Sequence, residues 1–583
     1  MQWEIKTKIQ EGALRKRREE IGKNLLANRG VTHKKQVEEF LDPPEPETLS
    51  PKMVGIQKAH LTKAITRIKK AIQRKESVVV YGDYDADGIC STAILWETLH
   101  ALGAQALPFI PHREDHGYGL SVKGIKEILN KPKRYTLNAK PSLIITVDNG
   151  IVAHDAAAYA NEQGIDVIIC DHHEKSTKLP EVHAIVHTTR LAGSGVTWMF
   201  AKEILNKLKP KTPTLNVYPE RSRRAIRSSL DLVTIGTIAD QVALVGPNRS
   251  IVKYGLNDLR RTKRVGIIKL MKEAAIDPHE MRTYHINFVI APRLNAMGRL
   301  EHAIDALRLV CTKNAIRARK LANTLSVVNR QRQQRTKEML AVAKEMYLSQ
   351  ESEREAEKII IIDHEDFHEG IIGLIAGKLA EEFYRPAIVF ARGKKLSKAS
   401  ARSISGFNII KALRQTEHLL VDAGGHPMAA GFTIETAKIE TFKSRLYEIA
   451  ERTLSPDMLE PKLTIDCEIE LRDITWELYR QLERLEPFGI GNPQPRFALE
   501  NCEVVDARAV GDEGKHLKLT IKQSKSMANG IAFNQGFLVS QLNPGTPISL
   551  AFTLDKNIWN NREELQLKVK DLKVDGGEAT KPF

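Results

Sequence analysis

The sequence predicts an α/β protein of several modules: a parallel-sheet module, a long linking helix, a smaller α/β module and a β-rich C-terminal module. Three observations carry this. Apolar strand-like runs alternate with helical stretches from about residue 60 to 330, the pattern of parallel βαβ units. A largely polar helical pattern fills 314–347, too long for a loop and interrupted by no proline. After 460, segments such as Leu517–Ile521 and Leu565–Val569 alternate apolar and polar with period two, as half-buried strands do. At 583 residues the chain has room for roughly three to five domains.

Taken in order, residues 1–48 read as a polar helical segment closed by Leu41-Asp-Pro-Pro-Glu-Pro46, because proline lacks the N–H a helix needs. Residues 49–313 form the parallel-sheet module. Its elements are a basic helix at 61–75, a strand at Ser77–Gly82, a helix from about 89 to 102, a strand at Ser142–Val147, a small-residue helix and a strand at Ile165–Cys170. Within it, residues 207–227 hold seven Lys/Arg against one Glu, with three prolines; this basic insertion is either a solvated loop or a nucleic-acid contact. The linking helix occupies 314–349. Leu321, Leu325 and Val328 make one apolar stripe and Met339, Val342 and Met346 another, while Asn329–Lys337 is polar on every face, as in a helix bridging two domains. The smaller α/β module spans 350–456, with a strand starting at Lys358, and the β-rich module spans 457–583.

Composition narrows the function classes. Lys and Arg number 88 against 72 Asp and Glu, a net charge of +16, which favours polyanions such as nucleic acid or acidic lipid. The 42% hydrophobic and 27% charged content is that of a globular protein rather than a disordered or membrane chain. No apolar run reaches the ~18 residues of a membrane span, and residues 1–30 lack a signal-peptide apolar region, so the expected compartment is the cytoplasm. Five cysteines without a C-x-x-C pair suggest neither a disulfide framework nor a zinc ribbon.

The most informative segment is Tyr81-Gly-Asp-Tyr-Asp-Ala-Asp-Gly88, which sets Asp83, Asp85 and Asp87 within five residues directly after an apolar strand. Carboxylates so close repel one another unless cations sit among them. The segment also matches the start of an EF-hand loop, but Ile94 stands where that loop needs Glu and a strand precedes where a helix should. A second strand ends in Asp148-Asn-Gly150 and a third in Asp171-His-His173. Any one of these could be a turn or a helix cap; together they put metal-binding groups at the carboxyl ends of three strands, where open α/β sheets place active sites. The diverging side chains of His172 and His173 allow one to bind metal while the other faces substrate. Asp240 ends the apolar Gly236-Thr-Ile-Ala-Asp240, where an unpaired carboxylate is costly. Oxygen ligands plus one imidazole suit manganese or magnesium better than zinc. A carboxylate shared between two ions ~3.5–4 Å apart is the arrangement for in-line displacement at phosphorus.

In this order and spacing, DYDADG, DNG, DHH and GTIAD resemble the four motifs of the DHH phosphoesterase superfamily. Residues 291–300 (APRLNAMGRL), 367–379 (FHEGIIGLIAGKL), 400–408 (SARSISGFN) and 424–431 (GGHPMAAG) extend the resemblance to the RecJ-type single-strand-specific exonucleases, over roughly residues 50–575. The resemblance implies a DHH domain, a DHHA1 domain and an oligonucleotide-binding (OB) fold. It implies two divalent ions, Mn2+ or Mg2+, held by Asp85, Asp87, Asp148, His172 and Asp240, with Asp148 bridging and Asp83 supporting the first site. His173 would face the scissile phosphate as transition-state stabiliser or proton donor. Arg113, Ser400 and Arg402 match a 5′-phosphate pocket, Arg293 and Arg299 backbone-phosphate contacts, and Gly424, Gly425 and His426 a substrate contact opposite the metals. Lys515, Lys518 and Trp559 are candidates for nucleic-acid contact in the OB module, Trp559 equally for its core. The chain departs from the family pattern in the longer basic segment 207–227 and in His187, where Asn or Pro is more usual.

The function so implied is 5′→3′ hydrolysis of single-stranded DNA to 5′-mononucleotides, in repair and recombination. The enzyme would be a cytoplasmic monomer working beside a helicase and a single-strand-binding protein. Two alternatives stand beside it: a DHH-type phosphodiesterase of short oligoribonucleotides, cyclic dinucleotides or pyrophosphate, and a non-catalytic replication scaffold.

Overall fold

A computed structural model of the chain describes residues 1–130, 140–208, 229–351, 357–559 and 562–575. It forms two compact units, one of Met1–Pro44, Ala243–Lys253 and Pro461–Phe583, the other of Glu45–Val242 and Tyr254–Glu460.

The chain opens with a strand rather than the expected helix: β1 (Gln2–Ile5) runs parallel to a strand at Lys462–Ile465. Helix Leu14–Ala27 follows, and its Ile21 and Leu25 join the core of the C-terminal module. Buried Arg17 locks that packing through Nε and Nη2, which donate to the two carboxylate oxygens of Asp473 at 2.8 and 2.6 Å, a bidentate geometry.

The second unit begins with a five-stranded, all-parallel sheet: β2 (Ser77–Tyr81), β3 (Gln105–Phe109), β4 (Leu143–Val147), β5 (Asp166–Asp171) and β6 (Ala184–His187), in the order β3-β2-β4-β5-β6. The runs SVVVY and LIITV are buried at every position, as β-branched strands covered on both faces must be. The chain leaves β2 toward β3 on one side, and β4 lies on the other; the carboxyl ends of β2 and β4 therefore flank a topological switch point. Helix Ala86–Ala101 starts three residues earlier than the apolar pattern predicts, because Asp85 caps it, its Oδ1 accepting from Gly88 N at 2.9 Å.

Helix Ala315–Glu351 runs unbroken. Its middle is polar, as the sequence reads, but not solvated on every side: Ser326, Asn329 and Thr336 are buried, and the helix packs on helix Ala291–Leu300. The second sheet comprises β7 (Ile360–His364), β8 (Ala387–Ala391), β9 (Leu396–Arg402), β10 (Leu420–His426) and β11 (Ala429–Glu435). It is ordered β10-β11-β9-β8-β7, with β7 and β8 parallel and the rest antiparallel. Phe390, Phe432 and Phe442 interlock edge-to-face and tilted beneath it.

The remainder returns to the first unit. After β12 (Lys462–Ile465) and β13 (Cys467–Glu468) come β14 (Phe497–Val510), β15 (His516–Gln523), β16 (Ser526–Ala532), β17 (Pro547–Trp559) and β18 (Arg562–Val574). The pairings run β14-β15-β16-β18-β17 and return to β14, closing the five-stranded barrel of an OB fold. All five cysteines are free, four of them buried. Among the described residues, no helix is long and apolar enough to cross a membrane. Apart from Lys207 and Leu208, the basic segment 207–227 lies outside the described residues.

Candidate active site

The ends of β2, β4 and β5 meet as the sequence predicts. Asp83, Asp85 and Asp148 bring ligand atoms within 4.8 Å of one another, as do Asp87, His172 and Asp240, and as do Asp148, Asp171, His172 and His173. Asp148 is shared between the first and third groups and touches the second through His172, whose Nε2 lies 3.2 Å from Asp148 Oδ1 and 3.7 Å from Asp240 Oδ2. Local backbone makes this possible. Asp148 sits at φ +64°, a left-handed conformation that Asp tolerates better than most residues. Two helices press bare backbone against the acids: a Cβ on Gly193 would stand 2.1 Å from Asp148 Oδ1, and one on Gly236 would stand 2.3 Å from Asp87 Oδ1. Ser194 N donates to that same Asp87 oxygen at 3.0 Å.

Four atoms decide what the cluster can hold. Asp87 Oδ2, Asp148 Oδ1, His172 Nε2 and Asp240 Oδ2 are all buried without a hydrogen-bond partner, a heavy penalty for polar atoms in a native core. Burial first, and then the neighbouring carboxylates, push the acids up: Asp83, Asp148 and Asp240 well above the ordinary range, and Asp87 up to about 6. Burial, with like charge on His173 and other histidines including His426, pushes His172 down to about 4, which leaves its imidazole neutral with a lone pair to give. Converging acids and a neutral imidazole are a donor set that fits hard divalent cations.

His173 is held differently. Its Nδ1–H donates to Asp171 Oδ1 at 2.8 Å, and Asp171 also accepts from the backbone N–H groups of His172, His173 and Ile151. Burial alone would depress His173, but the hydrogen bond and charge of Asp171 outweigh it and hold the imidazole above its ordinary value. Nε2 meets the Tyr118 hydroxyl at 3.0 Å. His187 Nε2–H donates to the His173 carbonyl at 2.7 Å, so the departure from the family pattern ties down the strand-end loop. Sequence reasoning missed Asp171 and Tyr118 as functional residues. The first was in view as the opening letter of Asp-His-His; nothing in His116-Gly-Tyr-Gly119 marked the second.

The phosphate-pocket residues also gather. Ser400 and Arg402 stand two apart on β9, where Arg402 Nη1 donates to Ser400 Oγ at 3.2 Å. A Cβ on Gly373 would crowd Ser400 Oγ at 2.9 Å. Arg113 lies 5.1 Å over the Tyr84 ring, a cation–π contact. Arg299 Nη1 donates to Gly370 O at 3.0 Å, joining the APRLNAMGRL and FHEG segments. Burial and then the guanidinium groups of Arg113, Arg332 and Arg402 push Arg299 down to about 10. Arg293 spends part of its fork on Ser326 Oγ and Val289 O. Gly424, Gly425 and His426 end β10 on an exposed hairpin; Gly425 is required there by φ +148° and by Ala429 O, 2.4 Å from where a Cβ would be, whereas Gly424 faces open space. Lys515 and Lys518 are exposed in the other unit, Lys518 pointing out of β15. Trp559 ends β17, and its side chain lies outside the described residues.

Comparison with known proteins places the domains and the fold. Residues 77–237 match the DHH family N-terminal domain, 356–452 the DHHA1 domain and 465–571 the RecJ OB domain. The single-stranded-DNA-specific exonuclease RecJ of Bacillus subtilis is 37% identical over 563 residues, covering 94% of this chain and 67% of that one. The Salmonella typhimurium RecJ is 31% identical over 573 residues, covering 94% and 95%. A crystal structure of Thermus thermophilus RecJ in complex with Mn2+ superposes with a TM-score of 0.78 at 28% identity, covering 99% of this chain and 81% of that one, and a Mg2+ complex of the same protein with 0.73. With all three domain types in order and relatives matched over nearly its whole length, the chain belongs to the RecJ family of the DHH superfamily.

Proposed function

We propose that this chain is a metal-dependent exonuclease that degrades single-stranded DNA from its 5′ end to 5′-mononucleotides, in DNA repair and recombination. The observation that carries the reading is the convergence of Asp87 Oδ2, Asp148 Oδ1, His172 Nε2 and Asp240 Oδ2, buried and without hydrogen-bond partners. Asp85, Asp87, Asp148, His172 and Asp240, with Asp83 in support, would hold two divalent cations, Mn2+ or Mg2+, which would supply Lewis acidity and lower the pKa of the attacking water.

The residues do the rest. Asp171 fixes the aim of His173 and, by raising its imidazole above the ordinary value, favours the imidazolium, in which Nδ1–H stays on Asp171 while Nε2–H steadies a non-bridging phosphate oxygen or protonates the departing one. Arg113, Ser400 and Arg402 form a guanidinium-and-hydroxyl receptor for a terminal phosphate, which carries more charge than an internal diester. A terminal-phosphate receptor beside the metal ligands favours an exonuclease that takes the 5′ end first. The RecJ OB match favours long strands over dinucleotides, with Lys515, Lys518 and Trp559 as contacts. A helicase, a single-strand-binding protein, a monomeric state and a cytoplasmic location belong to this proposal through kinship.

The test is incubation of single-stranded and duplex DNA, labelled at either end, with Mn2+. Labelled mononucleotide should appear at once from the 5′-labelled single strand, late from the 3′-labelled one, and not from the duplex or in the presence of a chelator. No mononucleotide from the single strand overturns the reading; early release of the 3′ label overturns the direction.

A further inference from the structure

The linking helix carries a buried polar face for which a bridging role gives no reason. Ser326, Asn329 and Thr336 are buried, and spacings of three and seven put them on one side of the helix. Arg332 stands on that side as well. Its Nη2 donates to Asn329 Oδ1 at 2.9 Å, and its backbone carbonyl accepts from the Thr336 hydroxyl at 2.7 Å. Its Nε is buried and has no acceptor. On the same face Ser326 accepts from Arg293 at 3.3 Å. Two of these buried groups, Ser326 and Asn329, thus hold the guanidinium groups of Arg293 and Arg332 in fixed positions, while Thr336 bonds the helix backbone.

Charge explains where they point. Arg332 has Arg293 as its charged neighbour, and Arg299 has Arg113, Arg332 and Arg402. Acids reach only the edges of the group: Glu273 acts on Arg293, and Asp83 interacts with Arg113. Burial and mutual repulsion both disfavour such a gathering of cations, and among the described residues no carboxylate forms an ion pair with Arg299 or Arg332. A run of phosphates satisfies both at once.

We infer that Arg332 contacts an internal phosphodiester of the bound strand, so that the linking helix is a wall of the nucleic-acid path and not a spacer between modules. The inference rests on the exonuclease reading. Arg299 feels Arg113 and Arg402 of the terminal-phosphate receptor as well as Arg332, whereas the charge acting on Arg402 is that of Arg113; Arg332 thus stands apart from the receptor and is assigned to an internal linkage.

Binding of a 5′-phosphorylated and a 5′-hydroxyl single-stranded oligonucleotide, followed by fluorescence anisotropy in a chelator over a salt series, tests this. One phosphate contact contributes about 0.7 to the slope of log K against log salt for a single strand. Arg332→Ala should make the slope shallower by about 0.7, equally for both oligonucleotides. Arg332→Lys should keep the slope, since it keeps the charge. In Mn2+ turnover the Ala loss should fall on KM rather than on kcat. An unchanged slope in Arg332→Ala, or an altered 5′-phosphate preference, overturns the inference. Failure of the unmodified protein to release mononucleotides would instead sink the exonuclease reading.

Discussion

Within one unit, two regions pose opposite electrostatic problems. At the ends of β2, β4 and β5, carboxylates are packed beside carboxylates, and burial holds them toward the protonated form. Around Arg299, guanidinium groups are packed beside guanidinium groups, and burial depresses them. Neither arrangement stabilises the protein by itself; each costs folding free energy that the rest of the fold must offset. The comparison teaches that the unit is organised around two ligands of opposite sign, hard cations on one side and a chain of phosphates on the other. The acidic region is built from strand ends and backbone walls, which fix positions tightly. The basic region is built from long side chains on four separate segments, which suits a flexible polymer.

Breaking the acidic side should have the largest effect. Asp148→Ala should reduce single-strand cleavage on the order of a thousandfold, because metal assistance is worth several kcal/mol. Metal-free DNA affinity should stay within about threefold, since phosphate contacts supply most of it. Rate and anisotropy measurements on one preparation check both, and a parallel loss of DNA affinity would erase the division between the regions. On the basic side, Arg402→Ala should lower the preference for 5′-phosphorylated over 5′-hydroxyl ends by roughly ten- to a hundredfold, the worth of a charged hydrogen bond. Competition between the two substrates measures it, and an unaltered ratio removes Arg402 from the receptor.

The smallest effect concerns pH. Asp87 titrates at about 6 in the folded chain against an ordinary 3.8, so the folded state holds a proton there that the unfolded state has lost. The stability this confers is full below 3.8 and disappears as pH rises through about 6. Mn2+ must displace that proton. Its affinity should therefore weaken by roughly fourfold from pH ~7.5 to ~5.5 on account of Asp87 alone, and further where Asp148 and Asp240 also take up protons. Calorimetric titration at the two pH values checks this, and a flat response would mean that the acids are already charged in the metal-free protein.

Most of the converging acids and imidazoles were legible in the sequence because they lie beside strands whose apolar runs announce themselves, and a parallel sheet aligns such ends automatically. Asp240 required more: it is the C-cap of a buried helix rather than the end of a strand, and only its placement among apolar residues drew notice. The linking helix is polar and largely exposed in its middle, as its sequence reads, but the burial of Asn329 and Thr336 there was not legible, since periodicity cannot separate a polar residue turned to water from one turned inward. Tyr118 and His187 act through contacts with a loop 55 and 14 residues away, which spacing along the chain does not encode. The N-terminal strand eluded pattern reading because four residues without clear alternation say nothing until β12 lies beside them.

The left-handed turn at Asp148 also governs how this position can be probed. Asparagine adopts a positive φ about as readily as aspartate and matches it in size, so Asp148→Asn deletes the charge while sparing the bend of the main chain. Alanine loses both together. The amide variant is thus the cleaner choice for trapping an uncut strand, and any difference between the two substitutions measures how far the shape of the turn matters apart from its charge.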